Sequence, residues 1–187
     1  NVVLTANLSG KVSTAVTVSY ASSNGGGANN SADSSGSTAL GTQDYTNTAD
    51  TLTFAALSTA GTVTIPINQD TWYEGLEDFT MTLSAPSANA SLGTTTLNVV
   101  TITDDDSQPT VNFDVATDAT LENGGTGNII VELTNASVQE VKINYTPTDV
   151  TATNSGTDYT LAAATLTFVT GEISKTINFA INSDSID

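Results

Sequence analysis

The chain contains no cysteine, no histidine and no arginine, and its only side-chain cations are Lys11, Lys142 and Lys175. Each absence removes a class of function. Without cysteine there is no disulfide framework. Without cysteine or histidine a zinc site lacks its usual ligands, and without histidine a serine triad lacks its base. Three lysines against twenty acidic residues leave a net charge of −17. Such a polyanion is a poor partner for DNA, RNA or anionic lipid, where Lys and Arg supply the affinity. No apolar run approaches the ~18 residues of a membrane-spanning helix, and no secretory leader is visible, so the sequence reads as a mature or excised soluble segment.

What is present is mostly Thr, Ser, Asn, Ala and Gly, with only 12% of residues charged. Disorder is the simplest reading of high net charge. The apolar residues argue against it, because they fall in alternating blocks. A Thr/Ser/Asn-rich surface poor in Lys and Arg suits a secreted or cell-surface location.

The sequence repeats itself. Residues 41–54, GTQDYTNTADTLTF, return as GTDYTLAAATLTF at 156–168, and 62–70, TVTIPINQD, return as TINFAINSD at 176–184. From Asp44/Asp158 through Asp70/Asp184 the offset is constant at 114 residues. Upstream, LSGKVSTAVTVSY at 8–20 matches LTNASVQEVKINY at 133–145 with an offset of 125. The difference lies in a Gly/Ser/Asn tract at 21–37, ASSNGGGANNSADSSGS, which reads as a flexible surface insertion that buries no core.

Each block alternates with period two, the signature of a half-buried strand. Val16, Val18 and Tyr20 share one face, as do Val63, Ile65 and Ile67, and Phe79, Met81 and Leu83. Val111, Phe113 and Val115, and then Ile177, Phe179 and Ile181, repeat the pattern. Pro66 marks an edge position. The expected fold is all-β, with tandem immunoglobulin-like antiparallel sandwiches of ~100 residues each. The first is expected over 1–106 without its first strand, and the second over 107–187 without its last strands.

The ordered series carries a resemblance. GTQDYT at 41–46 (GTDYT at 156–160 in the second copy) is followed by a TLTF strand, a TVTIPINQD strand, YEGLEDFTMTL at 73–83, an ASLG turn and TITDDD at 101–106. This series resembles the Calx-beta domain, named for the regulatory domains of sodium–calcium exchangers and also found in integrin β4 and very large bacterial surface proteins. The resemblance covers nearly the whole chain, twice. It implies β-sandwiches that bind Ca²⁺ through loop carboxylates at one end. Carried over residue by residue, the ligand set is Asp44, Asp70, Glu74, Glu77, Asp104, Asp105 and Asp106 in the first copy, and Glu122, Asp158 and Asp184 in the second. The first copy lacks the first-strand glutamate, and the second lacks the terminal acidic run.

The chemistry of these residues points the same way. Three consecutive carboxylates at 104–106 repel one another by roughly 3 kcal/mol per pair at ~5 Å and an effective dielectric of ~20. They need free water around them or a cation among them. Ca²⁺ takes six to eight oxygens in flexible geometry, which Mg²⁺ does not. Recurrence of Asp44/Asp158 and Asp70/Asp184 in register favours a site over a solvated rim. Glu74, Glu77 and Asp78 as glycosidase carboxylates lack an aromatic-lined cleft. The stretch 122–127, ENGGTG, lacks the Lys and helix of a phosphate loop. Trp72 and Tyr73 read as edge packing, and the sequons at Asn7, Asn29 and Asn135 follow partly from composition.

The functional expectation is a non-enzymatic, Ca²⁺-binding extender of a large surface protein, an adhesin-like stalk with Ca²⁺ stiffening the joint after Asp106. Its expected partners are neighbouring repeats or copies of itself, with surface glycans or proteins as further candidates. The alternatives are an extracellular fibre subunit whose sandwiches neighbours complete by strand addition, and a carbohydrate- or protein-binding module using the 21–37 loop and Trp72.

Overall fold

The computed structural model describes all residues except 28–29, 36–42, 123–124, 155 and 184–187. Among the described residues there are strands and turns but no α-helix, and no helix is long and apolar enough to cross a membrane. Two compact units form: Asn1–Asp70 with Glu74–Asp105, and Thr71–Tyr73 with Asp106–Asp187.

The first unit contains β1 (Val2–Asn7), β2 (Val16–Asn24), β3 (Asn30–Ser31), β4 (Ala49–Phe54), β5 (Ala60–Ile65), β6 (Leu76–Ser84) and β7 (Leu97–Thr103). β1 and β5 form one antiparallel pair. In the other sheet β6 is central, with β7 along one edge and β2 along the other, and β4 lies outside β2. Tyr45, Ile65, Phe79 and Met81 fill the core together with Val63 and Val100. The rings of Tyr45 and Phe79 stack at 4.2 Å, and both are fully buried. A stacked pair contributes about 0.5–1.5 kcal/mol beyond its buried area. A second cluster, Val16, Val18 and Phe54, closes the opposite end.

The 21–37 tract departs from its expected role as a surface insertion. β2 runs on through Asn24, β3 pairs in parallel with Glu77–Asp78 of β6, and Ala32 is fully buried in the core. The reason is steric. Gly26 and Gly27 lie so close to β6 that an added Cβ would come within 2.5 Å of Thr80 Cγ2 and 1.8 Å of the Asp78 carboxylate. Glycine here is what lets the insertion lie on β6. Residues 28–29 and 36–37 of the tract fall outside the described residues.

The second unit contains β8 (Val111–Phe113), β9 (Gly125–Leu133), β10 (Val141–Tyr145), β11 (Tyr159–Thr160), β12 (Ala164–Phe168) and β13 (Ser174–Ile181). One sheet has the order β8-β9-β13-β11, and β10 pairs with β12. Val131, Leu133, Phe168 and Ile177 form its core. Phe113 and Val115 keep the expected alternation but lie at the surface, 63% and 50% exposed. Trp72 and Tyr73 belong to this unit. Tyr73 bridges to Ser137, and an added Cβ on Gly171 (φ +77°) would come within 2.4 Å of the Trp72 ring.

The sequence repeat reappears as a repeat of register. Val3↔Thr64 in the β1–β5 pair corresponds to Asn128↔Asn178 in β9–β13. Val18↔Leu52 corresponds to Ile143↔Leu166, and Tyr45↔Ile67 to Tyr159↔Ile181. The offsets of 125 and 114 residues therefore hold for hydrogen-bonded partners as well as for letters.

Candidate metal centre

The first unit gathers its acids where β5 ends, where β6 begins and where β7 ends. Pro66 has no N–H to extend a ladder, and the strand stops at Ile65. The following loop is pinned to Asp44: the Asn68 N–H donates to the Asp44 carbonyl at 2.9 Å, and the Asn68 amide to the Gln43 carbonyl at 2.7 Å. That clamp brings Asp70 to Asp44. Asp44, Asp70 and Glu74 each offer an oxygen, all within 4.8 Å of one another. Ca²⁺–O distances of 2.3–2.6 Å allow opposed ligands to stand about 5 Å apart, so three such oxygens fit around one ion.

Asp104, Asp105 and Asp106 form a second group, again with one oxygen each within 4.8 Å. Asp104 Oδ2 accepts the N–H groups of Glu74 and Gly75 at 2.8 and 2.9 Å, which holds the acidic loop against the end of β7. Gly75 has φ +85°, a turn that favours glycine. Asp105 accepts a hydrogen bond from the Gln69 amide.

Glu77 sits at the start of β6, 8% exposed. Burial pushes its carboxyl up to about 8, aided by the charge of Asp44, by a hydrogen bond with Asp44 and by the charges of Glu74 and Asp104. Glu77 therefore faces two acids of the triad, Asp44 and Glu74, and Asp104 besides. Its Oε2 and Asp44 Oδ1 are buried, and with both groups ionised neither oxygen has a donor; the bond between the two carboxyls needs a proton on one of them. Two carboxylates cannot satisfy each other as anions; one must carry a proton, or a cation must stand between them. Orphaned buried oxygens facing other carboxylates fit a hard cation, and the absence of nitrogen or sulfur donors fits Ca²⁺ over a transition metal.

The neighbouring Asp78 plays a different part. It is 1% exposed, and its Oδ1 accepts the Thr101 hydroxyl at 2.7 Å while its carbonyl accepts the N–H groups of Gly25 and Ala32. It anchors β7 and the glycine-rich loop to β6.

The second unit brings less together. Glu122 and Asp158 line a cavity of about 520 Å³ with Thr120, Thr151, Tyr159 and Phe179. The Asn182 N–H donates to the Asp158 carbonyl, repeating the clamp of Asn68 on Asp44. Asp184 lies outside the described residues. Among the described residues, groups of three acids form only from first-copy ligands and the 104–106 run. Sequence reasoning missed Asn68 and Asn182, though both sit in the repeated blocks at an offset of 114.

Two tandem all-β units, the first with a carboxylate group at its loop end that could hold a cation, define a β-sandwich repeat. The Calx-beta domain model matches residues 1–106 and again 104–187, and the chain belongs to that family. A comparison with curated proteins finds no match. Among solved structures, the chain is similar to CBD12 from CALX1.2, with 21% identity and a TM-score of 0.48, covering 99% of this chain and 69% of that one. It is also similar to calcium binding domain CBD12 of CALX1.1, with 24% identity and a TM-score of 0.47, covering 95% and 67%.

Proposed function

We propose that this chain is a Ca²⁺-binding structural module of a large extracellular or cell-surface protein, and that the ion stiffens the stalk of which the repeats are part. The observation that carries the metal is the pair of buried, donorless oxygens, Asp44 Oδ1 and Glu77 Oε2, beside Asp70, Glu74 and Asp104. The ligands are Asp44, Asp70, Glu74 and Glu77, with Asp104 holding the loop and Asp105 and Asp106 adding charge. The ion would neutralise the cage and tie the ends of β5, β6 and β7 together. The run 104–106 passes directly into Ser107-Gln108-Pro109, so ordering it orders the connection to the next strand. A charge of −17 and the lack of arginine support the extracellular setting. The reading assigns binding and mechanics, not catalysis. Thermal unfolding with excess Ca²⁺ and with chelator tests it: a ligand at a hundred-fold excess over Kd that binds only the folded state adds about 2.7 kcal/mol. An unchanged melting temperature would remove the metal from the proposal.

Strand addition by a neighbour is the second reading. β1 pairs with β5 alone among the described residues, and a cavity of about 360 Å³ lies beside it, lined by Leu4, Ala6, Val63, Met81, Leu83 and Leu97. In the second unit β8 occupies the corresponding edge, on β9. Sedimentation in Ca²⁺ buffer separates the readings, since strand exchange gives oligomers and the stalk module a monomer.

A further inference from the structure

Two residues that no motif singles out organise the acid of each copy. In the first unit, Asp44 and the insertion close a reciprocal ring: the Asp33 N–H donates to Asp44 Oδ2 at 2.5 Å, and the Asp44 N–H to the Asp33 carbonyl at 2.8 Å. The second unit builds the same ring with Thr153 and Asp158, at 2.5 and 3.2 Å. The residue after each ring member then docks on one side chain. Ser34 N–H donates to Asn24 Oδ1 at 3.1 Å, and Asn154 N–H to Asp149 Oδ1 at 2.9 Å. The same oxygens accept the hydroxyls of Tyr45, at 2.7 Å, and Tyr159, at 2.8 Å. Asn24 and Asp149 are 125 residues apart, the offset that relates β2 to β10.

Four hydrogen bonds thus recur in both copies although the loops they close differ in length. The first loop carries the whole Gly/Ser/Asn insertion, and the second does not. Composition does not explain this, because the two hub residues differ and the two ring residues differ. What is kept is geometry: one oxygen on the hub, one tyrosine hydroxyl, two loop amides and one carboxylate. In the first copy the consequence is visible. Asp44 Oδ2 is held by the Asp33 amide, and Oδ1 is the oxygen left buried without a donor.

We infer that Asn24 and Asp149 are positioning residues of the two carboxylate sites, holding the loop so that Asp44, and by repetition Asp158, presents a single oxygen, Oδ1, to a cation. The inference rests on the Ca²⁺ reading above and deepens it. Neither hub residue is among the proposed ligands. Each acts through Tyr45 or Tyr159 and a loop amide, as outer-shell partners do when they orient a ligand.

The test uses the full chain with Asn24→Ala and, as a milder variant that keeps the Tyr45–Phe79 stack, Tyr45→Phe. Ca²⁺ affinity is measured at a temperature where both remain folded by circular dichroism, and hydrogen exchange of the Asp33 amide is followed in chelator. The expected result is Ca²⁺ binding weakened about tenfold or more in Asn24→Ala, less in Tyr45→Phe, with faster Asp33 exchange in both. A purely structural role would lower the melting temperature and leave the affinity of the folded protein unchanged; that outcome overturns the inference. So does unaltered Asp33 exchange, whatever the affinity. Failure of the unsubstituted chain to bind Ca²⁺ is a separate result, which overturns the functional reading and is told apart because it needs no substitution.

Discussion

Without Ca²⁺, the first unit should lose stability as pH rises from 5 to 8, the reverse of the usual behaviour of an acidic protein being titrated out of acid. Glu77 is the cause. Its folded carboxyl stands at about 8 against an ordinary 4.5. Between those values the folded state holds a proton that the unfolded state has released. The derivative of unfolding free energy with pH follows protons bound unfolded minus folded, here negative, so stability falls across the window. Below 4.5 both states are protonated and this contribution is flat. The full shift corresponds to roughly 3–5 kcal/mol. Glu77 is 8% exposed, so solvent screening takes little from it. Several degrees of melting temperature per kcal/mol are expected for a unit of this size.

Thermal unfolding in chelator at pH 5, 6, 7 and 8 reads the slope, and Glu77→Gln isolates its source. The amide is a neutral copy of the protonated acid and can donate to Asp44. It should flatten the slope and melt higher than the unsubstituted chain at pH 8, while binding Ca²⁺ more weakly. Excess Ca²⁺ should flatten the slope of the unsubstituted chain by another route, replacing the proton with a stronger cation. A melting temperature that rises between pH 5 and 8 in chelator, or a slope that survives Glu77→Gln, would refute the reasoning.

Further expectations concern the proton, the core and the insertion. Ca²⁺ binding at pH 7 should release close to one proton, because Glu77 must ionise to ligate; calorimetry in buffers of different ionisation enthalpy measures it, and buffer-independent heats would count against it. Phe79→Ala should destabilise the first unit by about 3–5 kcal/mol through the lost stack on Tyr45 and the cavity left behind, checked by denaturant unfolding. Gly27→Ala should cost about 1–3 kcal/mol, since its Cβ would meet a buried Asp78 carboxylate already bonded to Thr101; the same assay reads it, and a neutral effect would show that the insertion does not need to lie on β6.

Much of the fold was legible because alternation and internal repetition are local signals. The blocks at 62–70 and 176–184 announced β5 and β13, and the offsets between copies returned as strand register. The insertion was misread for a physical reason. Glycine, serine and asparagine lack the side chains that fill a core, so composition suggests a solvated loop. Ala32 is buried by β3 lying on β6, and the glycines permit that by what they lack. Phe113 and Val115 show the opposite failure. Their alternation promised burial, but period-two patterning says which residues share a face and not whether another sheet covers it.

The candidate site shows the same division between what a chain states locally and what only packing decides. Glu77 and Asp78 are adjacent acids on β6, and strand geometry puts them on opposite faces. One of them must therefore leave the cage; the resemblance carried over Glu77 and not Asp78, but strand alternation by itself does not choose between them. The choice falls to partners distant in the chain. Thr101 on β7 and the backbone of Gly25 and Ala32 engage Asp78, on the side where Gly27 has no Cβ. Asp44, Glu74 and Asp104 surround Glu77 on the other. Nothing in the letters EDF distinguishes the carboxylate that meets a hydroxyl from the one that meets other carboxylates. The first is satisfied within the chain. The second stays satisfied only by a proton or an ion, and that dependence makes Glu77 the residue on which pH and Ca²⁺ should compete.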